Sequence, residues 1–459
     1  MTRRTAEYLR KRGVSGPWRL EGDTAPQLHR PERGGGTDKN VCVTERGTDR
    51  NVCVTVVIPA LAENPALFGT LADLRDNSPE SLDRTQVIVV VNNRPPEACG
   101  AAERDNNQAT LARLRAGDGC GPYHLAWVDA ASPGLELPEG QGVGLARKIG
   151  MDLGLASLPE RGGEGGGIAC LDADTRAAPG YLDAISAYFA APGRWAAWCA
   201  FAHPLGENNP AITAYELHLR CYELGLRRAG SPYAFPAVGS TMACTAEAYA
   251  AVGGMGRRLA GEDFYFLQQL AKTGPVGRVP GAMLHPSARA SLRVPFGTGA
   301  KVARWTARPE EVLTYHPDSY RVLHAWLALA ESLMDASPEA WPDAARSVDP
   351  ALPPFLERQR FMPSWENIAG QAKTSVLRRR CFHEWFDGFR TLKLIHHLRD
   401  AGRGDLPVTE AAETLAQWTG VPVPHGGGAE SLLHAFRELS DRFTGLLGLP
   451  AFTESCTRR

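Results

Sequence analysis

The sequence contains no run of about 18 apolar residues, the length that a membrane-spanning helix requires. Residues 1–7 run on into charged and polar sequence without the apolar core of a signal peptide. From these two absences we expect a cytoplasmic protein with no integral membrane span. A peripheral contact with a membrane stays open.

The sequence also lacks an excess of charge of either sign and any ordered set of cysteines. Its 50 basic and 51 acidic residues leave a formal net charge of -1, so composition gives no electrostatic reason to expect nucleic acid as a partner. The 10 cysteines are scattered, with no pair at zinc-binding spacing and no disulfide framework. We therefore expect buried or free thiols in a reducing compartment.

Residues 1–35 are rich in Arg, Gly and Pro and have no sustained period, and a short tandem repeat follows them. Residues 36–44 return almost unchanged as residues 47–55. Two copies are too few for a solenoid, which needs at least about three repeats. We interpret residues 1–51 as an N-terminal tail that includes this local duplication.

From residue 52 onward, short apolar runs alternate with helical patterns. Strands are predicted at 54–59, 86–91, 124–129 and 167–171, and helices at 65–76, 101–116 and 143–156. This alternation is typical of an α/β fold, a mostly parallel sheet with flanking helices. The sheet region is predicted to extend over residues 52–305.

Beyond residue 305 helical patterns replace strand patterns. Apolar residues recur at steps of three and four over 318–336, and an aromatic stripe runs through 371–400. The proline-rich stretch 336–354 and the stretch 421–428 are predicted to be connectors. We expect residues 306–459 to form a helical C-terminal region.

Two aspartates follow the fourth predicted strand. In Asp172-Ala173-Asp174 the two carboxylates are one residue apart, directly after the apolar run 167–171. Carboxylate oxygens suit a hard divalent cation such as Mg or Mn, and such a cation can hold a diphosphate. Open α/β sheets bind ligands at the carboxyl ends of their strands, where these aspartates are expected.

Other polar groups are predicted at the same edge. Asn92 and Asn93 end the second strand and can hydrogen-bond a base or a ribose. Arg147 and Lys148 lie near a helix start after a glycine-containing loop, a setting that suits phosphate, although a solvated basic face would look the same. Further along, residues 262–263 place two acids at the start of a helix, where the helix dipole tolerates them and where an ordinary acidic first turn is the alternative.

Taken in order, these motifs resemble those of glycosyltransferase family 2 and its relatives with the GT-A fold. The resemblance covers residues 52–305 and is carried by Pro59 and Glu63-Asn64, the loop 142–150, Asp172-Ala173-Asp174, residues 239–243, and Glu262-Asp263. It implies a GT-A-type, Rossmann-like domain. It also implies a metal-dependent transfer of a sugar from a nucleotide-diphosphate donor to a hydroxyl acceptor.

The resemblance implies roles for individual acids. Asp174 would coordinate Mn or Mg directly, and Asp172 would help through the ribose or a metal-bound water. Asp263 would be the general base that takes the proton of the acceptor hydroxyl, with Glu262 as its neighbour and possible stand-in. Those assignments describe an inverting, single-displacement reaction.

Further residues complete the implied site. His285 would be a third metal ligand. The alternative is that His285 is an ordinary surface or core histidine whose hydrogen bonds are made within the fold. Arg289 and Arg293, four residues apart, could clamp the diphosphate. The donor side would then comprise Pro59, Glu63, Asn93, Arg147, Asp172, Arg289 and Arg293.

The sequence departs from the family pattern and leaves alternatives open. Many members place acids where this chain has Asn92 and Asn93, so the nucleotide base is open. A retaining synthase acting on a small phosphorylated acceptor and a catalytically silent scaffold are the alternatives. A sugar-phosphate nucleotidyltransferase would need a glycine-rich basic loop after the first strand, and residues 60–64 are not such a loop. The sequence does not identify the sugar, the acceptor or the oligomeric state.

Overall fold

The computed structural model describes residues 1–22, 53–158, 166–205, 209–289, 298–308, 312–423 and 428–449. The described residues within Met1–Arg194 and Ala243–Met255 form one compact unit, unit 1, and those within Trp195–Met242 and Gly256–Arg459 form unit 2. This division differs from the predicted boundaries at 51/52 and 305/306. Most of the tandem repeat at 36–55 lies outside the described residues.

The strands are short and are spread over both units. In chain order they are β1 Glu21–Gly22, β2 Val54–Ala60, β3 Thr85–Asn92, β4 His124–Ala130, β5 Gly167–Cys170, β6 Arg176–Ala177, β7 Ala196–Phe201, β8 Met242–Thr245, β9 Val276–His285, β10 Leu313–Thr314, β11 Leu406–Pro407 and β12 Leu446–Leu447.

Helices separate the strands and take over towards the C-terminal end. They are α1 Arg3–Arg12, α2 Ala66–Asp73, α3 Pro79–Asp83, α4 Ala101–Arg115, α5 Val143–Ser157, α6 Tyr181–Ala190, α7 Pro210–Ala229, α8 Ala246–Ala251, α9 Glu262–Thr273, α10 Thr298–Ala307, α11 Pro317–Ser332, α12 Ala340–Val348, α13 Leu352–Arg358, α14 Phe361–Gln371, α15 Ser375–Trp385, α16 Gly388–Asp400, α17 Val408–Thr419 and α18 Ala429–Asp441.

Unit 1 is built on a mostly parallel sheet in the order β1-β4-β3-β2-β5-β8. The pairs β4–β3, β3–β2 and β2–β5 are parallel, and the outer pairs β1–β4 and β5–β8 are antiparallel. Every residue of β2, β3 and β5 is buried, as near-continuous apolar runs covered on both faces require. The predicted α/β fold class, with its mostly parallel sheet and helical C-terminal region, is confirmed.

Helix α5 packs closely against this sheet because two of its residues are glycines. A Cβ added at Gly150 would lie 2.4 Å from Val57 Cγ1, and one added at Gly154 would lie 2.6 Å from Thr55 Cγ2. Both neighbours belong to β2, so the absence of a side chain lets the helix backbone approach the central strand. This approach sets the position of the residues that α5 carries.

We expect Gly150→Ala to lower the free energy of unfolding by about 1–3 kcal/mol, the usual cost of overpacking a filled core. Chemical denaturation monitored by circular dichroism measures this loss. Gly370→Ala on α14 is the matched control, because a Cβ there meets nothing within 4 Å and alanine is the better helix former. Equal stabilities for the two variants would contradict the packing argument.

The start of the chain belongs to the fold of unit 1. Residues 3–12 form α1, and Tyr8 and Trp18 are only 4% and 7% exposed. Trp18 packs in a cluster with core residues of β3, β4 and α5, and its indole N–H donates to the Leu135 carbonyl at 2.7 Å. Residues 1–22 are therefore not a loose tail, because two large aromatic side chains anchor them.

Unit 2 begins with the parallel pair β7–β9, to which β12 adds antiparallel at β9. Its main core is helical and centres on Trp326, whose side chain is fully buried. Around it lie the rings of Trp341, Phe361, Phe382 and Phe386, with centroids 5.7–6.1 Å from that of Trp326. The aromatic stripe predicted over 371–400 contributes to this core.

Two helical predictions differ from the structure in detail. The pattern over 371–400 forms two helices, α15 and α16, because Asp387 accepts the Arg390 backbone N–H and begins a new helix there. The predicted connector 336–354 contains α12 and the start of α13. Pro342, Pro353 and Pro354 occupy the first turns of these helices, where the missing N–H costs nothing, and Pro338 and Pro350 lie just before the helices.

Helix α7 carries a fully buried carboxylate, Glu216, that several cationic or polar groups contact. His203 Nδ1 lies 3.0 Å from Glu216 Oε2, Arg437 Nη2 donates to the same oxygen at 2.6 Å, and Arg220 Nη2 donates to Oε1 at 3.1 Å. Burial raises the pKa of Glu216, but the hydrogen bonds from His203 and Arg437 and the charge of Arg220 outweigh it and hold the pKa below its ordinary value of 4.5. Glu216 is thus ionised in the folded state.

Because of the Glu216 carboxylate, we expect the free energy of unfolding to depend on pH. Because the folded pKa of Glu216 is the lower one, its stabilising contribution is present above pH 4.5 and is lost as the pH falls below that value. We expect Glu216→Gln to flatten this part of the profile of unfolding free energy against pH. Glu438→Gln, at an exposed carboxylate on α18, should leave the slope unchanged; a wild-type slope in Glu216→Gln would contradict the assignment.

Two findings apply to the described residues as a whole. No helix in this part of the chain is long and apolar enough to cross a membrane. The described cysteines, Cys53, Cys99, Cys120, Cys170, Cys199, Cys221, Cys244 and Cys381, are all free thiols.

Candidate active site

The predicted aspartate pair follows β5 in unit 1. After the strand ends, the Leu171 N–H still donates to the Val57 carbonyl of β2 at 3.0 Å, and the Thr175 N–H then closes a turn on the Asp172 carbonyl at 3.0 Å. Asp172 and Asp174 are both partly exposed, whereas Ala173 between them is buried. The turn therefore buries its middle residue and leaves the two carboxylates accessible.

Helix α2 holds this turn in place. Thr70 Oγ1 donates to the Ala173 carbonyl at 2.9 Å. On the far side of the turn, Asp73 accepts hydrogen bonds from Arg176 Nε at 2.5 Å and from the Ala177 N–H at 3.1 Å. The turn is fixed on both sides, and a fixed turn is what a preorganised ligand site requires.

Arg147 and Asp172 are brought together. Arg147 Nη2 lies 2.5 Å from Asp172 Oδ1, and the arginine side chain is 4% exposed while the aspartate side chain is 36% exposed. The buried guanidinium thus meets a carboxylate at the surface of the site. The neighbouring Lys148 is buried as well and pairs within α5 with Asp152 at 2.8 Å, so the prediction that both cations face phosphate does not hold for Lys148.

Asn93 lies at the end of β3 but is 1% exposed. Its Nδ2 donates to the Ala131 carbonyl at 2.8 Å, and its Oδ1 accepts from Asn107 Nδ2 at 2.5 Å. Asn107 also donates to the Asn92 carbonyl at 3.0 Å. These bonds tie β3 to β4 and α4, so the geometry gives Asn93 a structural role at this edge in place of the predicted contact with a base.

The loop after β2 is held by α4. Asn106 accepts from the Asn64 N–H and donates to the Asn64 carbonyl, both at 2.9 Å. Ala62, in the left-handed region with φ 55°, has its N–H bound to Asn107 Oδ1 at 2.8 Å. Glu63, between these two residues, is partly exposed, so the loop presents it from a fixed backbone.

Pro59 is buried inside β2, as the predicted strand 54–59 has it, with Val90 as its strand partner. Its place on the donor side stays a prediction. Asn106 and Asn107 were not predicted to matter. Two adjacent asparagines on a helix next to the strand ends were the available signal, because buried amides need hydrogen-bond partners that loops can provide.

In unit 2 the predicted acids begin α9. Gly261, with φ 73°, precedes the helix, and Glu262 and Asp263 occupy its first turn. Glu262 is 3% exposed, whereas Asp263 is partly exposed and its Oδ1 accepts the Phe264 N–H at 2.7 Å. The positive end of the helix dipole lies at this first turn and tolerates the two acids.

His285 ends β9, beside the end of β7. Its Nδ1 lies 2.9 Å from the Ala202 carbonyl oxygen, and because a carbonyl only accepts, Nδ1 carries the hydrogen. In the neutral ring this leaves the lone pair on Nε2. Arg289 is exposed, and Arg293 lies outside the described residues.

Side chains that could bind a metal ion are the next feature of the site. Among the residues that the structure describes, no group of three or more His, Cys, Asp or Glu side chains is arranged to hold a metal ion. The carboxylates of the Asp172–Asp174 turn are of the ligand type that Mg and Mn prefer. The three-ligand set Asp172, Asp174 and His285 stays a prediction.

Comparison with known proteins gives a distant likeness only. No family model matches the chain, and no curated protein matches it. Among solved structures, the mannosyltransferase PcManGT from Pyrobaculum calidifontis, in complex with GDP-Man and Mn2+, is 14% identical; the match covers 88% of this chain and 90% of that one, with a TM-score of 0.35. Residues 1–349 of S. aureus TarS, in complex with UDP-GlcNAc, are 11% identical, with coverages of 76% and 92% and a TM-score of 0.35. At TM-scores this low neither likeness carries an argument.

Proposed function

We propose that the chain is a metal-dependent glycosyltransferase of the GT-A type, related to family 2, that moves a sugar from a nucleotide-diphosphate donor to a hydroxyl acceptor. The observation that chiefly supports the proposal is the Asp172–Asp174 turn at the carboxyl end of β5. It is pinned by Thr70 and Asp73 and contacted by Arg147. A cation at such a place would balance the negative charge that develops on the departing diphosphate.

The resemblance to family 2 gives the two aspartates different roles. Arg147 contacts one oxygen of Asp172, which suits the proposed part of Asp172 in orienting the ribose or a metal-bound water. Asp174 would coordinate Mn or Mg directly. The cation, when bound, supplies Lewis acidity to the diphosphate; Glu63, on its fixed loop, lies on the donor side of this arrangement.

Asp263 is the better candidate for the base. It is partly exposed, whereas Glu262 is buried, and the Phe264 N–H orients one of its oxygens. Asp263 would take the proton of the acceptor hydroxyl as that oxygen bonds to the anomeric carbon and the bond to the diphosphate breaks. The reaction would invert the anomeric configuration. His285 suits a third metal ligand, because Ala202 fixes the tautomer with its lone pair on Nε2.

The test is a donor screen that measures the release of nucleoside diphosphate, with Mn2+ and with EDTA. GDP-Man and UDP-GlcNAc are the first donors to try, followed by the other common nucleotide sugars. We expect turnover of at least one donor that requires the cation. No turnover of any donor, with or without an acceptor mixture, would contradict the proposal and favour the silent scaffold.

A retaining synthase is the second candidate reaction, and NMR of the product separates it from the inverting one. Retention would remove Asp263 from the role of base while leaving the metal turn in place. The free thiols of the described cysteines suit a reducing compartment such as the cytoplasm, where we place the protein.

A further inference from the structure

A second buried polar cluster in unit 1 lies beside the Asp172 turn and has no role in the reaction proposed above. Its centre is the ion pair of Lys148 and Asp152 on α5, with Nζ 2.8 Å from Oδ2 and side chains 5% and 2% exposed. Tyr8 of α1 donates its hydroxyl to Asp152 Oδ1 at 2.7 Å and accepts from Lys148 Nζ at 2.6 Å. Tyr249 of α8 donates to the same Oδ1 at 2.7 Å, and the Val14 N–H donates to Oδ2 at 2.7 Å.

The hydroxyl of Tyr8 is the link between this cluster and the N-terminal helix. Burial raises the pKa of Tyr8 and the negative charge of Asp152 raises it further, so the hydroxyl stays protonated and remains a donor. Gly254, with φ 78°, makes room for it, because a Cβ there would lie 1.9 Å from the tyrosine oxygen. The rings of Tyr8 and Tyr249 meet edge to face at 5.4 Å. These contacts therefore hold the Tyr8 side chain in a single position.

A buried ion pair is weak evidence for stability, because apolar residues of the same volume often serve as well. What such a pair does provide is a defined geometry, since its partners must meet in one arrangement. In this protein both partners belong to α5, and the hydrogen bonds that join them to Tyr8 of α1 and to the Val14 N–H link α5 to the N-terminal segment. The residue directly before Lys148 is Arg147, whose guanidinium contacts Asp172.

We propose that Tyr8 is a positioning residue for the Arg147–Asp172 contact. Through Lys148 and Asp152 it holds α5 at the rotation at which Arg147 reaches the aspartate turn. Two successive residues of α5 then make two different contacts: Lys148 contacts Tyr8 of α1, and Arg147 contacts Asp172. The effect on catalysis rests on the proposed function, but the structural link does not.

The first test is hydrogen–deuterium exchange on Tyr8→Phe, which removes the shared hydroxyl and keeps the ring. We expect faster amide exchange within residues 143–150 and 171–176, measured below the onset of unfolding. Arg4→Ala is the matched control: Arg4 is also on α1 but makes an exposed ion pair with Glu247 of α8. It should leave both stretches unchanged. Faster exchange confined to residues 1–22 in Tyr8→Phe would overturn the proposal.

The second test uses the kinetics of whichever nucleotide sugar the wild-type enzyme consumes. In Tyr8→Phe we expect the donor KM to rise by about tenfold with a smaller change in kcat, the pattern of weakened donor binding. Arg4→Ala should keep wild-type constants. A donor KM equal to wild type in Tyr8→Phe would count against the proposal.

A third variant separates positioning from stability. Lys148→Met and Asp152→Leu combined with Tyr8→Phe and Tyr249→Phe replace the polar side chains of the cluster by apolar ones, so that no tyrosine hydroxyl is left without its acceptor; such replacements preserve or raise stability in comparable cases. If the cluster positions Arg147, this variant keeps the melting temperature and still shows the raised donor KM and the faster exchange at 171–176. Wild-type exchange there would overturn the proposal. If the wild-type protein consumes no nucleotide sugar, the proposed function fails, and the exchange data still decide the positioning role.

Discussion

Asp174→Ala is expected to lower the turnover of the donor sugar by about a thousandfold, equivalent to about 4 kcal/mol of transition-state stabilisation. The reason is that Asp174 is the proposed direct ligand of the cation that balances the charge of the departing diphosphate. It lies in a turn that α2 fixes through the hydrogen bond from Thr70 to the Ala173 carbonyl. Initial rates at saturating Mn2+ measure the loss.

The control for this variant is Asp105→Asn on α4, an exposed carboxylate with no proposed role in the reaction. It should keep the wild-type rate. The melting temperature of the Asp174→Ala protein without ligand shows whether the fold is kept, and the rate is compared for folded protein only. A rate within about threefold of wild type, a difference of less than about 1 kcal/mol, would show that Asp174 does not hold the cation.

The largest expected effect on stability follows from Trp326→Ala. We expect the free energy of unfolding of unit 2 to fall by about 3–5 kcal/mol, the usual loss when a large aromatic side chain is removed from a core. The side chain is fully buried, and four aromatic neighbours surround it, so the space left behind cannot close by the movement of one flexible group. Chemical denaturation monitored by circular dichroism measures the change.

Trp418→Ala on α17 is the matched control. Trp418 is partly exposed and contacts the guanidinium groups of Arg228 and Arg321, with distances of 4.9 and 5.6 Å to the ring centroid. Its loss should cost about 1–2 kcal/mol. If Trp326→Ala proved no more destabilising than Trp418→Ala, the helical core would not be centred where the structure puts it.

The parts of the fold that could be predicted from sequence are those governed by local patterns. The apolar runs of β2, β3, β4 and β5 and the helical periods of α5 and α11 all produced elements within a few residues of the predicted bounds. Because parallel strands end at a common edge, the placement of Asp172 and Asp174 after β5 followed from the same pattern.

The parts that could not be predicted depend on contacts between residues far apart in sequence. Residues 1–22 have no sustained period, yet Tyr8 reaches Asp152 and Trp18 reaches Leu135. Asn93 ends a strand, as predicted, but its amide is satisfied by Ala131 and Asn107. A sequence pattern shows that a polar group is near a strand end, and only the packed structure shows whether its hydrogen bonds are already made.

We propose that the Asp172–Asp174 turn binds a nucleoside diphosphate through a divalent cation. The most direct test is the melting temperature of the wild-type protein with a panel of nucleoside diphosphates, each with and without Mn2+. At 100 times the dissociation constant, binding adds about 2.7 kcal/mol to the free energy of unfolding. We expect the melting temperature to rise with at least one nucleotide only when Mn2+ is present, and we expect Asp174→Ala to abolish this rise. An equal rise in Asp174→Ala, or none with any nucleotide, would contradict it.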